Sequence, residues 1–278
     1  MASGSEARTE GGPVFDRPTL RLRVAVLLAR AIEWVLCHHR LARMLYAASG
    51  ANARLSARLL RGEQRGCPCC GGRFRRMSRQ RITGFGGICP RCRSHPRHRA
   101  IALLIARGDL PGRCLLHFAP EPLLDPVFSR LPGIERVTAD LHAPADLRLD
   151  ISNIDLPDSS FDLILCSHVL EHVPDDRAAM RELGRVLAGG GLALVLVPYR
   201  PRVTTYEDPS ITSPLERMVA FGQQDHVRIY GTDLTERLRE AGFEVDDRTA
   251  AERFDEATVE RYDLDPEEHL FLCRTPAG

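Results

Sequence analysis

Asp150–Pro198, DISNIDLPDSSFDLILCSHVLEHVPDDRAAMRELGRVLAGGGLALVLVP, orders an apolar run, an amphipathic run and a second apolar run as one βαβ unit. Phe161–Cys166 is short, apolar and bounded by turn residues, the pattern of a strand buried on both faces of a parallel sheet. Asp175 and Asp176 open a helix whose Met180, Leu183, Val186 and Leu187 share one face, and Gly189–Gly191 are expected to end it. Leu192–Val197 then supplies the next strand. A right-handed crossover sets the two strands side by side. It leaves Ser167-His168-Val169-Leu170-Glu171-His172 at the carboxyl edge of the sheet, where open α/β sheets bind ligands.

Working outward, Arg113–Phe118 reads as a first strand and Glu135–Asp140 as a second. The second ends in an acid about 20 residues after the first turn, the spacing at which a carboxylate bridges ribose hydroxyls in nucleotide-binding α/β domains. Asp140 is therefore a candidate cofactor ligand, an exposed strand-end Asp being the alternative. Residues 199–230 are expected to be irregular and are too long for an ordinary connection. Their polar stretch Gln223-Gln224-Asp225-His226-Val227-Arg228-Ile229-Tyr230 makes them a candidate substrate lid. A helix over Asp233–Ala241 and strands over Glu244–Arg248 and Leu270–Arg274 complete the pattern.

Two segments, LPDSSFDLILCSHVLEHVPDD (156–176) and RELGRVLAGGG (181–191), carry a resemblance. They resemble the core of class I S-adenosylmethionine-dependent methyltransferases, the type 11 group, over roughly Arg113 to Thr275. The resemblance implies a doubly wound, Rossmann-like, seven-stranded α/β sheet with its last strand antiparallel, S-adenosylmethionine as cofactor, and methyl transfer. Asp150 and Ile151 match the family's adenine-contacting segment, where a carboxylate faces the amino group and the next backbone N–H a ring nitrogen; an N-cap role for Asp150 is the alternative. The chain departs from the family after its first strand. It has His117-Phe118-Ala119-Pro120-Glu121-Pro122 in place of an acid and a glycine-rich loop. Ala119 is small enough to let the cofactor approach, and Pro120 or Pro122 suits a first helical turn. Glu121 either meets the amino group of the methionine moiety or favours a helix amino terminus. The candidate cofactor set is His117, Ala119, Glu121, Asp140, Leu141, Asp150, Ile151 and Ser167; Glu171, His172 and His226 are the candidate catalytic helpers. C-x-H-V-L-E-H (166–172) also resembles the E-x-x-E-H element of metal-assisted O-methyltransferases, with His168 in place of the first Glu. On a helix His168, Glu171 and His172 share one face and could hold a divalent ion, with His226 from the lid; a role for Glu171 and His172 as helix cap and cofactor-loop contacts is the alternative.

The 278 residues suffice for one sizeable α/β domain and a smaller module. A net charge of +1 hides an asymmetry: residues 1–113 hold 22 Arg and 6 acids, and residues 114–278 hold 16 Arg and 31 acids. There is no lysine, so part of this bias is compositional. The basic half either meets a polyanion such as RNA or docks on the acidic half. Met1–Pro13 is small, polar and expected to be a disordered tail, and 14–62 is a helical segment over Leu20–Ala48 and Ala51–Leu60. The first helix is apolar around much of its girth; it either packs on the protein or makes peripheral membrane contact. The most apolar stretch, Val24–Cys37, is cut by Arg30 and Glu33, so no transmembrane or secretory segment is expected and the protein is placed in the cytoplasm.

Between these regions Cys67-Pro-Cys-Cys70 and Cys89-Pro-Arg-Cys92 form two C-x-x-C pairs 18 residues apart, the spacing of a structural Cys₄ zinc ribbon over 63–98. Cys69 could replace a neighbour, but the C-P-x-C-G pattern favours Cys67, Cys70, Cys89 and Cys92. Cys37, Cys114, Cys166 and Cys273 lie in apolar contexts and read as core thiols. Segment 89–99 resembles the zinc-knuckle edge ahead of the methyltransferase domain, here 99–278, in a bacterial family of unassigned substrate; His95 and His98 are then hydrogen-bonding residues. Arginines around the ribbon, with Phe74 and Phe85 interleaved, could grip phosphates and stack a base, or the aromatics could fill the ribbon's own core. The rival to an enzyme is a non-catalytic zinc-ribbon module that binds RNA or protein and carries a degenerate cofactor site.

Overall fold

The structure is a computed structural model that describes residues 53–79, 86–110, 112–131 and 133–277. The expectations for Met1–Pro13, Leu20–Ala48, Cys37 and Phe85 lie outside these residues. The described residues form one compact unit.

Helical residues 53–59 precede β1 (Arg61–Gly66), which pairs antiparallel with β2 (Arg73–Phe74); β3 (Ser78–Arg79) pairs antiparallel with β4 (Gly87–Ile88). Helix α1 (Pro96–Arg107) follows the second cysteine pair, with Pro96 at its first position and left-handed Gly108 (φ 75°) as its cap. Then come β5 (Cys114–Phe118), α2 (Asp125–Phe128), β6 (Glu135–Asp140), β7 (Leu147–Arg148) and β8 (Phe161–Ser167). Helix α3 (Asp176–Val186) leads into β9 (Leu187–Leu196). The chain closes with β10 (Tyr206–Glu207), α4 (Pro214–Phe221), β11 (Arg228–Ile229), α5 (Leu234–Glu240), β12 (Glu244–Thr249), α6 (Ala250–Arg253), α7 (Glu256–Tyr262) and β13 (His269–Arg274).

Seven strands build the main sheet in the order β12-β13-β9-β8-β5-β6-β7. β5 to β9 are parallel, and β13 runs antiparallel to both β9 and β12, as the resemblance implied. Alternation along the strands splits the core in two. Leu115, Leu163, Leu165, Leu192, Leu194 and Leu196 pack with α1 on one face. Leu116, Ile164, Cys166, Ala193 and Val195 pack with Ala179, Met180, Leu183 and Val186 of α3 on the other. This is the doubly wound sheet expected.

Two expectations need correction. Gly189–Gly191 do not end α3: the helix stops at Val186 and β9 begins at Leu187, running through the glycines. Left-handed Gly190 (φ 73°) lets the strand bulge there, and the pairing jumps from Phe161 with Leu187 to Leu163 with Leu192. Residues 199–230 are not wholly irregular either. They hold the antiparallel pair β10–β11 and α4, which Ser213 caps by accepting from the Glu216 N–H, with Pro214 at the first position and left-handed Gly222 at the end.

The cysteine ribbon is not set apart from the sheet. Cys67, Cys69, Phe74, Met77 and Cys89 share one core with Ile101, Leu104 and Leu115. Fully buried Arg99 ties it down by donating to the carbonyls of Gly87 (2.9 Å) and Ser94 (2.7 Å) in the ribbon and to those of Tyr262 and Asp263 (both 2.6 Å) at the end of α7. Phe74 is 3% exposed, so it fills the core and cannot stack on a base.

Candidate active site and cysteine cluster

The ends of β5, β6 and β8 bring most of the expected residues to one edge. After β5 the chain turns at Ala119, whose φ of 46° is left-handed and whose N–H donates to the Ala139 carbonyl (2.9 Å). A non-glycine residue in that conformation costs about 1–2 kcal/mol. The loop that lacks glycine in sequence thus adopts at Ala119 the backbone a glycine favours.

Glu121 Oε1 accepts from His98 Nε2 (2.6 Å) and Arg97 Nη2 (3.0 Å), both on α1, while its Oε2 is buried without a partner. His98 Nδ1 accepts the His95 backbone N–H (2.9 Å), so its ring proton sits on Nε2, facing Glu121. Burial pushes the Glu121 carboxyl up, but the His98 bond and the Arg97 charge outweigh it and hold it at about 2. The helix leaving the cysteine ribbon therefore positions the carboxylate of the loop after β5. No sequence signal links these residues, which lie 23 and 24 positions apart.

Asp140 Oδ1 accepts from the N–H groups of His142 (2.7 Å) and Ala143 (2.6 Å), fixing the turn that carries exposed Leu141. Asp150 Oδ1 accepts from the N–H and hydroxyl of Ser152 (2.8 and 2.6 Å), bonds that lower its pKa, and Ile151 beside it is buried. The N-cap alternative for Asp150 fails because a turn, not a helix, follows it. Ser167 Oγ is buried without a partner. So are both ring nitrogens of His117, which packs on Phe128 at 5.4 Å and is held by burial at about 4.

These buried histidines make folding acid-sensitive. An unfolded histidine titrates near 6.5, and His117 in the folded chain near 4. The stability it contributes is fully present above about pH 6.5 and is lost as the pH falls toward 4, at up to about 1.4 kcal/mol per pH unit. Urea unfolding at pH 7 and pH 5 should give a lower midpoint at pH 5, and a smaller drop for His117→Asn. A midpoint independent of pH would contradict the burial argument.

The residues after β8 are not helical as expected. His168 is left-handed (φ 55°) and only one 3₁₀ turn, Leu170–His172, follows. Glu171, His172 and His226 nevertheless converge, with ligand atoms within 4.8 Å of one another. His168 Nδ1 lies 3.1 Å from Glu171 Oε1 without hydrogen-bond alignment. The His172 and His226 rings meet edge to face at 4.7 Å, and burial lowers the His226 pKa. Arg228 clamps the turn by donating to the carbonyls of Leu170 (3.0 Å), Val173 and Pro174 (2.8 Å). Buried Asp176 sits behind, 3.0 Å from Arg237 Nη1 and 3.7 Å from Arg228 Nε, and accepts the Tyr230 hydroxyl at 2.9 Å. Sequence reasoning missed this network; its signal was the charge inside the lid stretch, where Arg228 precedes an apolar Ile229-Tyr230 pair.

The four expected cysteines also converge. Cys67 and Cys92 Sγ atoms are 3.6 Å apart, and those of Cys70 and Cys89 3.8 Å, close to the edge of about 3.8 Å that Zn–S bonds of about 2.3 Å give a tetrahedron. Gly71 (φ 69°) and Arg93 (φ 65°) occupy matching left-handed positions in the two knuckles. Cys69 points its Sγ instead at the His98 carbonyl (3.5 Å).

Residues 133–195, which run from just before β6 to near the end of β9, match the profile of a family described as "Methyltransferase domain". The matched segment carries Asp140, Asp150, Ser167, Glu171 and His172. A probable S-adenosylmethionine-dependent methyltransferase of Mycolicibacterium smegmatis is 35% identical over 35% of this chain and 34% of its own length. One from Mycobacterium tuberculosis is 33% identical over 42% of this chain and 35% of its own. The uncharacterized methyltransferase YcgJ of Bacillus subtilis is 34% identical over 27% of this chain and 28% of its own. The chain thus spans about a third of the length of the curated relatives it matches. Among solved structures, that of YcgJ covers 65% of this chain and 100% of its own at 18% identity and a TM-score of 0.45. No helix among the described residues is long and apolar enough to cross a membrane.

Proposed function

We propose that the protein is an S-adenosylmethionine-dependent methyltransferase. The observation that carries the reading is the placement of the methyltransferase-domain match on β6 to β9, whose carboxyl ends gather Asp140, Asp150 and Ser167 beside the left-handed Ala119. The donor set suits a nucleoside bearing an amino acid. Asp140 would take the ribose hydroxyls, Asp150 the adenine amino group and the Ile151 N–H a ring nitrogen. The orphaned Oε2 of Glu121 would accept from the ammonium of the methionine moiety. Ala119, Leu141, His117 and Ser167 would line the same cofactor edge. When bound, the cofactor supplies an electrophilic methyl group, so the protein's task is in-line positioning and, for some acceptors, proton removal. Glu171, His172 and His226 gather at the same edge, where an acceptor would lose its proton.

The same reading assigns a structural zinc ion to Cys67, Cys70, Cys89 and Cys92, with no open position for catalysis. It also makes RNA the partner of the basic half, supported by a cleft of about 400 Å³ lined by Arg58, Arg61, Arg91 and Arg73, the last paired with Glu63 at 2.9 Å. Incubation with methyl-labelled S-adenosylmethionine and fractionated cell extract tests the activity; label should move to a defined acceptor, and label that stays on the cofactor in every fraction would favour the non-catalytic rival. Binding to a structured RNA should weaken steeply with added salt, since counterions are released as arginines replace them on phosphates, and Arg58→Gln/Arg61→Gln should flatten that slope. Salt-independent binding, or none at low salt, would defeat the RNA assignment.

A further inference from the structure

Glu171 is fully buried, and neither of its oxygens has a hydrogen-bond partner. A carboxylate so placed is strongly disfavoured unless a positive group meets it. The groups that face it are imidazoles: His168, whose Nδ1 lies 3.1 Å from Oε1, half-buried His172, and His226, 6% exposed with an unpartnered buried Nδ1. We propose that Glu171, His172 and His226 bind one divalent transition-metal ion, with positions left open toward the substrate edge of the sheet.

Three further features fit a metal better than a shared proton. Asp225 Oδ2 lies 3.2 Å from His172 Nδ1, the outer carboxylate that orients a metal-bound imidazole and leaves Nε2 to the ion. His226 Nδ1 is buried without a hydrogen-bond partner, which leaves it available as the ligand atom. The two segments are also stapled together, by the Val227 N–H donating to the Glu171 carbonyl (2.9 Å) and by Arg228 on the carbonyls around the turn. The ligand atoms lie within 4.8 Å of one another, a span that small side-chain shifts close around an ion with bonds of about 2.0–2.2 Å. Two imidazoles and one carboxylate select zinc, iron or cobalt over magnesium or calcium. The convergent set is smaller than the one the sequence motif implied: His168 stays beside Glu171 but outside the group of mutually close ligand atoms, and Asp225 stands behind His172.

The test is titration of Co²⁺ into full-length protein whose cysteine site has first been filled with zinc, read by calorimetry and by visible absorption. One further equivalent should bind, giving ligand-field bands without the thiolate charge-transfer bands of a cysteine site. Asp225→Asn, at an exposed position away from the core, should weaken Co²⁺ binding by about 10–100-fold. His226→Ala should abolish it while the melting curve of the zinc-loaded protein keeps its cooperativity. No second equivalent in the wild type, or a second equivalent that binds equally in Asp225→Asn and His226→Ala, would overturn the proposal and leave the cluster a proton-sharing network.

Discussion

Cys67→Ser protein is expected to lose the zinc ion proposed for the four cysteines and, with it, far more than the ribbon. Metal binding and folding are one equilibrium in small cysteine sites, where the apparent binding free energy of about 10–16 kcal/mol is folding free energy. Here the loss cannot stay local. Cys67 and Cys89 are buried in the same core as α1 and β5, and Arg99 joins the second knuckle to the end of α7. Three residues before Arg99 begins α1, which holds Glu121 through Arg97 and His98. Removing the ion should therefore free the Glu121 carboxylate and weaken S-adenosylhomocysteine by about tenfold or more, a change of about 1.4 kcal/mol, besides lowering the melting temperature. Metal analysis, calorimetry and thermal melting of Cys67→Ser and Cys92→Ser test this together. A zinc-free variant with wild-type melting and ligand affinity would contradict the shared core.

Asp176→Ala should cost about 3–5 kcal/mol of unfolding free energy, the range for removing one partner of a buried ion pair. Asp176 is 4% exposed, and its carboxylate meets Arg237, Arg228 and the Tyr230 hydroxyl. Its loss would leave two buried guanidiniums, 3% and 8% exposed, with the more exposed Glu207 as their shared counter-ion and Asp233 on Arg237. Asp176→Asn keeps the shape but not the charge and should cost nearly as much. Equilibrium urea unfolding measures both; a loss below about 1 kcal/mol would mean the network is already compensated by water. Because Arg228 also clamps Leu170, Val173 and Pro174, the variants should loosen the turn that carries Glu171 and His172.

The parts of the fold legible in the sequence are those governed by local pattern. Glu135–Asp140 matches β6, Phe161–Cys166 falls one residue short of β8, and Asp175 caps α3 by accepting from the Ala178 N–H. The errors lie where a residue does something its composition does not announce. Gly190 bulges a strand instead of ending a helix, and Ala119 adopts a left-handed backbone that glycine favours. Helix α4 did carry a readable signal, Ser213-Pro214 followed by Glu216 and Gly222, hidden among the prolines and threonines around it. The positions at the carboxyl edge of the sheet were legible, but the connections among their side chains were not. Glu121 with His98, and Glu171 with His226, join elements distant in the chain and are created only by the crossover topology.

The central claim, that the ends of β5, β6 and β8 form a working cofactor site, is tested most directly by calorimetric titration of the full-length protein with S-adenosylhomocysteine. The wild type should bind one equivalent, and Asp140→Ala, which removes the carboxylate assigned to the ribose, should bind at least about tenfold more weakly, or about 1.4 kcal/mol. Absence of heat from the wild type even at millimolar ligand would contradict the account and leave the fold without the activity proposed for it.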